Sequence, residues 1–228
     1  MAKVHPNSGV APEPATSNSR VAPPHDQEVL TVWRKSLLFN CDGFTVFDAK
    51  GNLAFRVDCY GSGRHTEVVL MDVAGKPLVT VRRKRTLSSL LAEQWVVYDG
   101  DATADNTKSS NKPLLSVRRH VSLRRSSNKK TLAHVTSLAP TTSSSAYVVE
   151  GSYGRRACAV RDARGDAVAE VQRKESPVGD DVFRLVAADP RRLGAPLAMG
   201  LVIALDEMFH GGGGGKARSL LRRTWSAA

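Results

Sequence analysis

The side chains whose types and spacing could bind a ligand are cations, and they are concentrated in the middle of the chain. Residues 82–130 contain twelve Lys/Arg against four Asp/Glu. The candidate binding residues are Arg82, Arg83, Lys84, Arg85, Arg118, His120, Arg124, Arg125, Lys129 and Lys130. Residues 211–228 add four Lys/Arg and no acid, within a formal net charge of +11. A localised positive excess attracts polyanions such as membrane surfaces or nucleic acids.

Alternation over residues 114–123 predicts a strand that presents several of these cations on one face. The apolar residues expected to face inward are Leu115, Val117, Val121 and Leu123. Arg118, His120 and Arg124 would then point outward together. If four to six such groups met an anionic leaflet, roughly 1 kcal/mol each would give about 4–6 kcal/mol, which is weak and reversible binding. The plainer alternative is a solvated basic face that only aids solubility. A nucleic-acid interface is less favoured, because the sequence shows no recognised nucleic-acid-binding motif beside the charge.

Two serines beside the cations suggest a way to regulate this charge. Ser126 and Ser127 follow Arg124 and Arg125, and basophilic kinases favour arginines just before a serine. A phosphate at this position would subtract nearly two charges from the basic segment. We therefore take Ser126 and Ser127 as candidate regulatory residues.

The sequence contains no residue pattern typical of an enzyme, a metal site or a cofactor site. Its six histidines are scattered, and none pairs with another at metal-ligand spacing. Neither a Gly-x-Ser-x-Gly elbow nor a phosphate-binding glycine loop is present. The three cysteines, Cys41, Cys59 and Cys158, indicate partly buried thiols in a reducing compartment. We expect a non-enzymatic protein of the cytoplasm, with no metal and no cofactor.

The elements that must position these cations are short strands. We expect a disordered leader over residues 1–28, a folded domain over 29–210 and a flexible basic tail over 211–228. Asp-x-x-Gly recurs three times between the predicted strands, where Asp bonds the turn backbone and Gly takes a positive φ. Residues 69–84 and 159–174 also align with each other, which suggests two related halves. About a dozen antiparallel strands are expected to close, because closure removes exposed edges.

The segment from Pro196 to Phe209 departs from this strand pattern. Nine consecutive residues, 197–205, carry no polar side chain, and a helix that is apolar on every side must be enclosed. The expected core residues of this helix are Leu197, Met199, Leu201, Val202, Ile203 and Leu205. A transmembrane helix needs about 20 apolar residues, and a buried strand would contain more β-branched residues. We therefore predict an all-β closed barrel around one buried C-terminal α-helix, without a transmembrane segment.

Several motifs of this chain resemble the plant LURP-one-related family. They are Leu-Thr-Val-Trp-Arg-Lys-Ser-Leu-Leu-Phe (30–39), Gly-Phe-Thr-Val-Phe-Asp-Ala-Lys-Gly (43–51), Phe-Arg-Val-Asp-Cys-Tyr (55–60), Val-Leu-Met-Asp (69–72) and Met-Gly-Leu-Val-Ile-Ala-Leu-Asp-Glu (199–207). The resemblance implies the tubby C-terminal-like fold, a twelve-stranded barrel enclosing a hydrophobic helix. The wider superfamily includes phosphoinositide-binding tubby proteins and phospholipid scramblases, and several LURP-one-related proteins are linked to defence against pathogens.

Two functional interpretations remain open at this point. The first is a peripheral module that binds anionic phospholipid headgroups, phosphoinositides among them, in plant defence-related signalling. The second is a protein-interaction scaffold with an unidentified protein partner and no lipid contact. In either case we expect a monomer in the cytoplasm, with the plasma membrane periphery and the nucleus as further locations.

Overall fold

Twelve antiparallel strands surround one α-helix in this computed structural model, which describes residues 27–38, 42–59, 65–84, 93–101, 112–121, 131–138, 146–174 and 181–209. The strands are β1 (Glu28–Trp33), β2 (Asp42–Phe47), β3 (Leu53–Cys59), β4 (Glu67–Asp72), β5 (Pro77–Arg83), β6 (Gln94–Asp99), β7 (Pro113–Arg119), β8 (Thr131–Ser137), β9 (Ala146–Ser152), β10 (Ala157–Arg161), β11 (Ala167–Arg173) and β12 (Val182–Ala187). The helix α1 spans Ala195–Phe209. Glu28, expected in the leader, opens β1 instead.

Each strand pairs with its neighbours in the chain, and β1 pairs with β12 to close the barrel. Val32, for example, lies opposite Val46 of β2 on one side and opposite Phe183 of β12 on the other. All twelve pairings are antiparallel, and because the ring of described strands is closed, each of them has a partner on both sides. The predicted closed barrel of about twelve strands is confirmed.

The antiparallel order gives the barrel two distinct ends. We call the end where the odd-numbered strands finish the exit end, because α1 also finishes there. Arg119, the last residue of β7, donates from Nη1 to the carbonyl oxygen of Met208 at 3.2 Å. The opposite end, where the even-numbered strands finish, is called the turn end. The predicted Asp-x-x-Gly connections β2–β3, β4–β5 and β10–β11 all follow even-numbered strands and therefore lie at the turn end.

The Asp-x-x-Gly turns have the geometry that the motif predicts. Asp162 Oδ1 accepts the N–H groups of Arg164 and Asp166, both at 2.9 Å, and the Gly165 N–H donates to the Asp162 carbonyl at 3.0 Å. The glycines take positive φ values of 85°, 87° and 90° at Gly51, Gly75 and Gly165. Hairpins β4–β5 and β10–β11 lie six strands apart in the ring of twelve, as two related halves would place them.

The helix is enclosed on nearly every side by inward-facing strand residues. The predicted core residues Met199, Leu201, Val202, Ile203 and Leu205 are each at most 2% exposed. Leu197, in the first turn, is only partly buried, although it packs against the core. At Gly200 a Cβ would lie 3.2 Å from Val97 Cγ1, so the small residue lets helix and sheet approach closely. The predicted enclosed helix is confirmed, starting one residue before Pro196.

One apolar run ends sooner than its sequence pattern predicts. The strand expected over 114–123 ends at Arg119, and Val121, expected to face inward, is 53% exposed. That expectation was wrong because the core ends at the level of Arg119, and beyond it an apolar side chain has no interior to face. After β1 ends at Trp33, the apolar side chain of Leu37 is likewise exposed, at 51%.

Two leucines of the apolar run, Leu197 at its start and Leu201 in its middle, allow a matched test of helix burial. We expect Leu201→Ala to lower the free energy of unfolding by about 2–5 kcal/mol, because it leaves a cavity in a closed core. Leu197→Ala removes the same atoms from a partly exposed site and should cost clearly less. Urea denaturation of both variants measures the difference. Equal losses would contradict the enclosure of α1.

Candidate functional site

Strands β5 to β8 bring basic side chains together on the outer face of the barrel, near the exit end. The Lys84 N–H donates to the Gln94 carbonyl at 2.9 Å, Gln94 pairs with Arg118, and Arg118 pairs with His134. These residues therefore form one row across four strands, in which Lys84, Arg118 and His134 are exposed. His120 follows β7 and is exposed too. We call Lys84, Arg118, His120 and His134 the basic surface.

Arg82 and Arg83 carry charges that acidic neighbours already compensate. Arg82 Nε donates to a carboxylate oxygen of Glu67 on β4. Arg83 Nε lies 3.4 Å from a carboxylate oxygen of Glu93. The sequence count therefore overestimates the charge that this segment offers to an external anion. Among the residues that the structure describes, Lys84 forms no such ion pair, and neither does Arg118.

Arg119 has a structural role at the end of the helix. It continues the alternation of the inward-facing Leu115 and Val117 on β7, although its side chain, like that of Arg118, is exposed to solvent. Its guanidinium lies 4.9 Å from the ring centre of Phe209, and its Nη1 bonds the Met208 carbonyl. A cation at a helix C-terminus interacts favourably with the helix dipole. Arg119 therefore caps α1.

The remaining candidate residues lie outside the described part of the chain: Arg85, Arg124, Arg125, Ser126, Ser127, Lys129 and Lys130. The described residues that border them, Lys84, Val121 and Thr131, belong to the exit end. Their binding and regulatory roles stay predictions.

The basic surface includes a pair of histidines within hydrogen-bonding distance. His120 Nδ1 lies 3.1 Å from His134 Nε2, and the ring centres are 5.2 Å apart. Partial burial lowers the pKa of His134 below its usual value of 6.5, and the nearby charges of His120 and Arg118 lower it further. A hydrogen bond between two imidazoles needs one nitrogen without a proton. Protonation of both rings therefore breaks the bond and adds positive charge to the surface.

A buried charge network, which was not identified from the sequence, lies inside the exit end. Asp206, in the last turns of α1, is 6% exposed. Its carboxylate accepts from Arg34 Nε at 2.9 Å and from the Tyr153 hydroxyl at 3.2 Å. Arg156 Nη1 lies 3.8 Å from the same carboxylate. A signal was present in the sequence, because a charged residue that directly follows nine apolar ones in an enclosed helix requires buried partners.

Arg156 reaches this network from a strained position in the β9–β10 turn. Its φ is 51°, which is uncommon for a residue with a Cβ, and the residue is 1% exposed. Its guanidinium lies 4.6 Å from the ring centre of Tyr153 and 4.3 Å from that of Phe183. These contacts favour a guanidinium through cation–π attraction. The network thus fastens the helix end to the barrel wall.

Burial makes the ionisable groups near this network poor reactants. Burial raises the pKa of Tyr153 well above its usual value, and the charge of Asp206 raises it further, so the phenol stays a neutral donor. Burial also raises the pKa of the Cys158 thiol to about 12, and a protonated thiol is a weak nucleophile. Cys59 is half-buried, and Cys41 lies outside the described residues.

Two concave regions lie among the described residues. A cavity of about 90 Å³ beside Asp206 is lined by Arg34, Phe44, His65 and Glu207, among others, and has room only for a few water molecules. A shallow open groove of about 810 Å³ runs over the outer face of β9–β11. Within the described ranges, no group of three His, Cys, Asp or Glu could hold a metal ion. Over the same ranges, no helix has the length and apolarity that crossing a bilayer requires.

The His134 pKa offers a direct test of the geometry of the basic surface. We expect Arg118→Gln to raise the pKa of His134, because it removes a nearby positive charge. Since the folded-state pKa lies below the unfolded value, the free energy of unfolding should fall as pH drops below 6.5. Titration of the imidazole C–H signals by NMR measures the pKa, and exposed Arg184→Gln on β12 is the control. An unchanged pKa in Arg118→Gln would contradict this placement.

The buried network predicts a large loss of stability when its central carboxylate is removed. Asp206→Ala should lower the free energy of unfolding by about 3–5 kcal/mol, because it leaves Arg156 buried without its counter-charge. Asp166→Ala removes a carboxylate from an exposed ion pair with Arg164 and should change stability little. Chemical denaturation compares the two variants. A small effect of Asp206→Ala would show that the network is not structural.

Comparison with a solved structure supports the fold. A crystal structure of a protein from Arabidopsis thaliana superposes with a TM-score of 0.50 and 22% sequence identity, covering 80% of this chain and 93% of that one. At this identity the likeness concerns the fold alone.

Sequence comparisons identify the family. The sequence profile of the LURP-one-related family matches residues 28–206. Protein LURP-one-related 8 of Arabidopsis thaliana is 42% identical over 220 residues, which cover 92% of this chain and 99% of that protein. Protein LURP-one-related 5 of the same plant is 40% identical over 193 residues, covering 81% and 84%, and protein LURP-one-related 17 is 36% identical over 186 residues, covering 79% and 82%. The chain therefore belongs to the LURP-one-related family.

Proposed function

We propose that this protein is a non-enzymatic binding module that attaches reversibly to anionic membrane surfaces, phosphoinositide-containing bilayers included, through the basic surface. The observation that carries the proposal is the row of exposed basic residues across β5 to β8, in which Lys84 and Arg118 form no ion pair among the described residues. Charges of this kind remain available to an external anion.

The expected strength follows from the number of available cations. Each Lys or Arg near an anionic leaflet contributes about 1 kcal/mol, so Lys84 and Arg118 together supply roughly 2 kcal/mol. We include the Lys/Arg residues at 85, 124, 125, 129 and 130 in the same proposal, because in the sequence they are close to described residues of the exit end. Attachment through exposed charges is weak and sensitive to salt, and a phosphate on Ser126 or Ser127 would reduce it.

Membership of the LURP-one-related family gives this proposal its biological setting. The resemblance of the family to tubby proteins implies phosphoinositides as ligands, and the family implies defence-related signalling in plants. The proposal accordingly places a monomeric protein in the cytoplasm, at the periphery of the plasma membrane and in the nucleus.

A protein-interaction scaffold without lipid contact is the second candidate function. The observation that favours it is the groove of about 810 Å³ on β9–β11, where Ala157 and Ala159 form a floor of small side chains. Glu150 and Glu170 border this groove together with Arg161, so its charge is mixed. A mixed, open surface suits a protein segment better than an anionic headgroup.

Flotation with vesicles tests the membrane proposal against the scaffold. We expect the full chain to float with phosphatidylcholine vesicles that contain a phosphoinositide, and not with phosphatidylcholine alone. Lys84→Gln/Arg118→Gln should weaken partitioning by about 10- to 30-fold at low salt, because two contributions of about 1 kcal/mol are lost.

The control removes the same charge from the opposite end of the barrel. Lys50→Gln/Lys76→Gln replaces two exposed lysines of the turn end, and it should partition like the unaltered protein. Absence of flotation by the unaltered protein at low salt would reject membrane attachment and favour the scaffold. Equal weakening by both double variants would show that net charge acts without the basic surface.

A further inference from the structure

Three large apolar side chains are exposed at the exit end, and one of them, Val121, lies beside the basic surface. Leu37 is 51% exposed, Leu38 is 40% exposed and Val121 is 53% exposed. The two leucines follow β1 and the valine follows β7, so all three lie where odd-numbered strands finish. Exposed apolar residues on a surface that also carries charge are typical of interaction sites. The turn end exposes Val73 and Leu138 in the described part of the chain, and these serve as controls below.

The two leucines are held outward by a local hydrogen-bonded turn. Ser36, directly before them, is 4% exposed. Its hydroxyl donates to Asp58 Oδ1 at 2.6 Å and accepts from the Leu38 N–H at 3.0 Å. The buried serine therefore fixes the backbone that presents Leu37 and Leu38. Their exposure is a property of the folded turn.

The apolar tips lie on opposite sides of the barrel rim. Strands β1 and β7 are six positions apart in the closed ring of twelve, so the leucine pair and Val121 face each other across the exit end. A flat surface that touches both points spans the exit end of the barrel.

The described residues of the exit end carry more positive charge than those of the turn end. At the exit end, the described residues within 34–42, 58–67, 82–93, 118–131, 152–157, 173–181 and 206–209 contain eleven Lys/Arg and seven Asp/Glu. At the turn end, those within 27–28, 48–52, 72–76, 99–112, 138–146, 162–166 and 188–194 contain six Lys/Arg and eight Asp/Glu. An anionic surface therefore attracts the exit end and repels the turn end.

We propose that the protein docks end-on against an anionic lipid bilayer, with Leu37, Leu38 and Val121 inserted among the headgroups and the basic surface against the lipid phosphates. This inference rests on the proposed function and adds an orientation and an inserted apolar anchor. Insertion of a few apolar groups beside cations is the physical basis of interfacial membrane binding. The charge of the exit end matches an anionic bilayer, which is the partner to which we commit.

The test compares adsorption with insertion, using the full chain and lipids of stated composition. We expect the unaltered protein to bind phosphatidylcholine–phosphatidylserine vesicles and to raise the surface pressure of a monolayer of the same lipids. Leu37→Ser/Leu38→Ser should no longer raise the surface pressure. Its partition coefficient should fall about tenfold for each leucine replaced. The remaining vesicle binding of this variant should still weaken as salt is added, because the cations are unchanged. The serines replace exposed side chains, so thermal unfolding should be unaltered.

Val73→Ser/Leu138→Ser removes two exposed apolar side chains from the turn end and should behave like the unaltered protein. If Leu37→Ser/Leu38→Ser still raises the monolayer pressure and partitions normally, insertion is wrong while attachment through charge stands. If the turn-end variant loses insertion instead, the orientation is wrong. Failure of the unaltered protein to bind these vesicles would overturn both the proposed function and this inference.

Discussion

The structure depends on the burial of one helix that has no polar face. Because residues 197–205 carry no polar side chain, α1 needs apolar partners on nearly every side, and a closed sheet is an arrangement that supplies them. The inward rows of all twelve strands provide this lining, and Gly200 lets α1 approach Val79 and Val97. Closure of the barrel and burial of the helix are thus one constraint, since neither surface is covered without the other.

The burial of α1 also determines where a charged side chain is buried. The polar residues of α1 come only in its last turns, so the carboxylate of Asp206 is buried at the exit end, where Arg34, Tyr153 and Arg156 meet it. Arg119 caps the final carbonyls of the helix at the same end. Charged residues of the exit end therefore serve two purposes. Some stabilise the helix end, and others, such as Lys84 and Arg118, are exposed to solvent.

The fold could be predicted from the sequence because its determinants are local. The Asp-x-x-Gly turns and the unbroken apolar run each need only a few neighbouring residues, and both predictions were confirmed. The site was predictable only in part, because pairing of charges depends on register. Arg82 meets Glu67 across β4 and β5, and Arg34 meets Asp206 from the far end of the chain. Alternation also suggested that Val121 faces inward, but alternation cannot show where the core stops.

Internal pairing explains why the charge of this chain is compatible with reversible attachment. If every cation of residues 82–130 were free, the attraction to an anionic surface would be strong and would not discriminate among polyanions. Glu67 and Glu93 instead compensate Arg82 and Arg83, which leaves a short row of exposed basic residues across β5 to β8. A short row gives weak attraction that depends on salt, and weak attraction depends on further contacts for its specificity. The exposed leucines of the exit end are suited to supply such contacts, because apolar insertion persists when salt screens the charges.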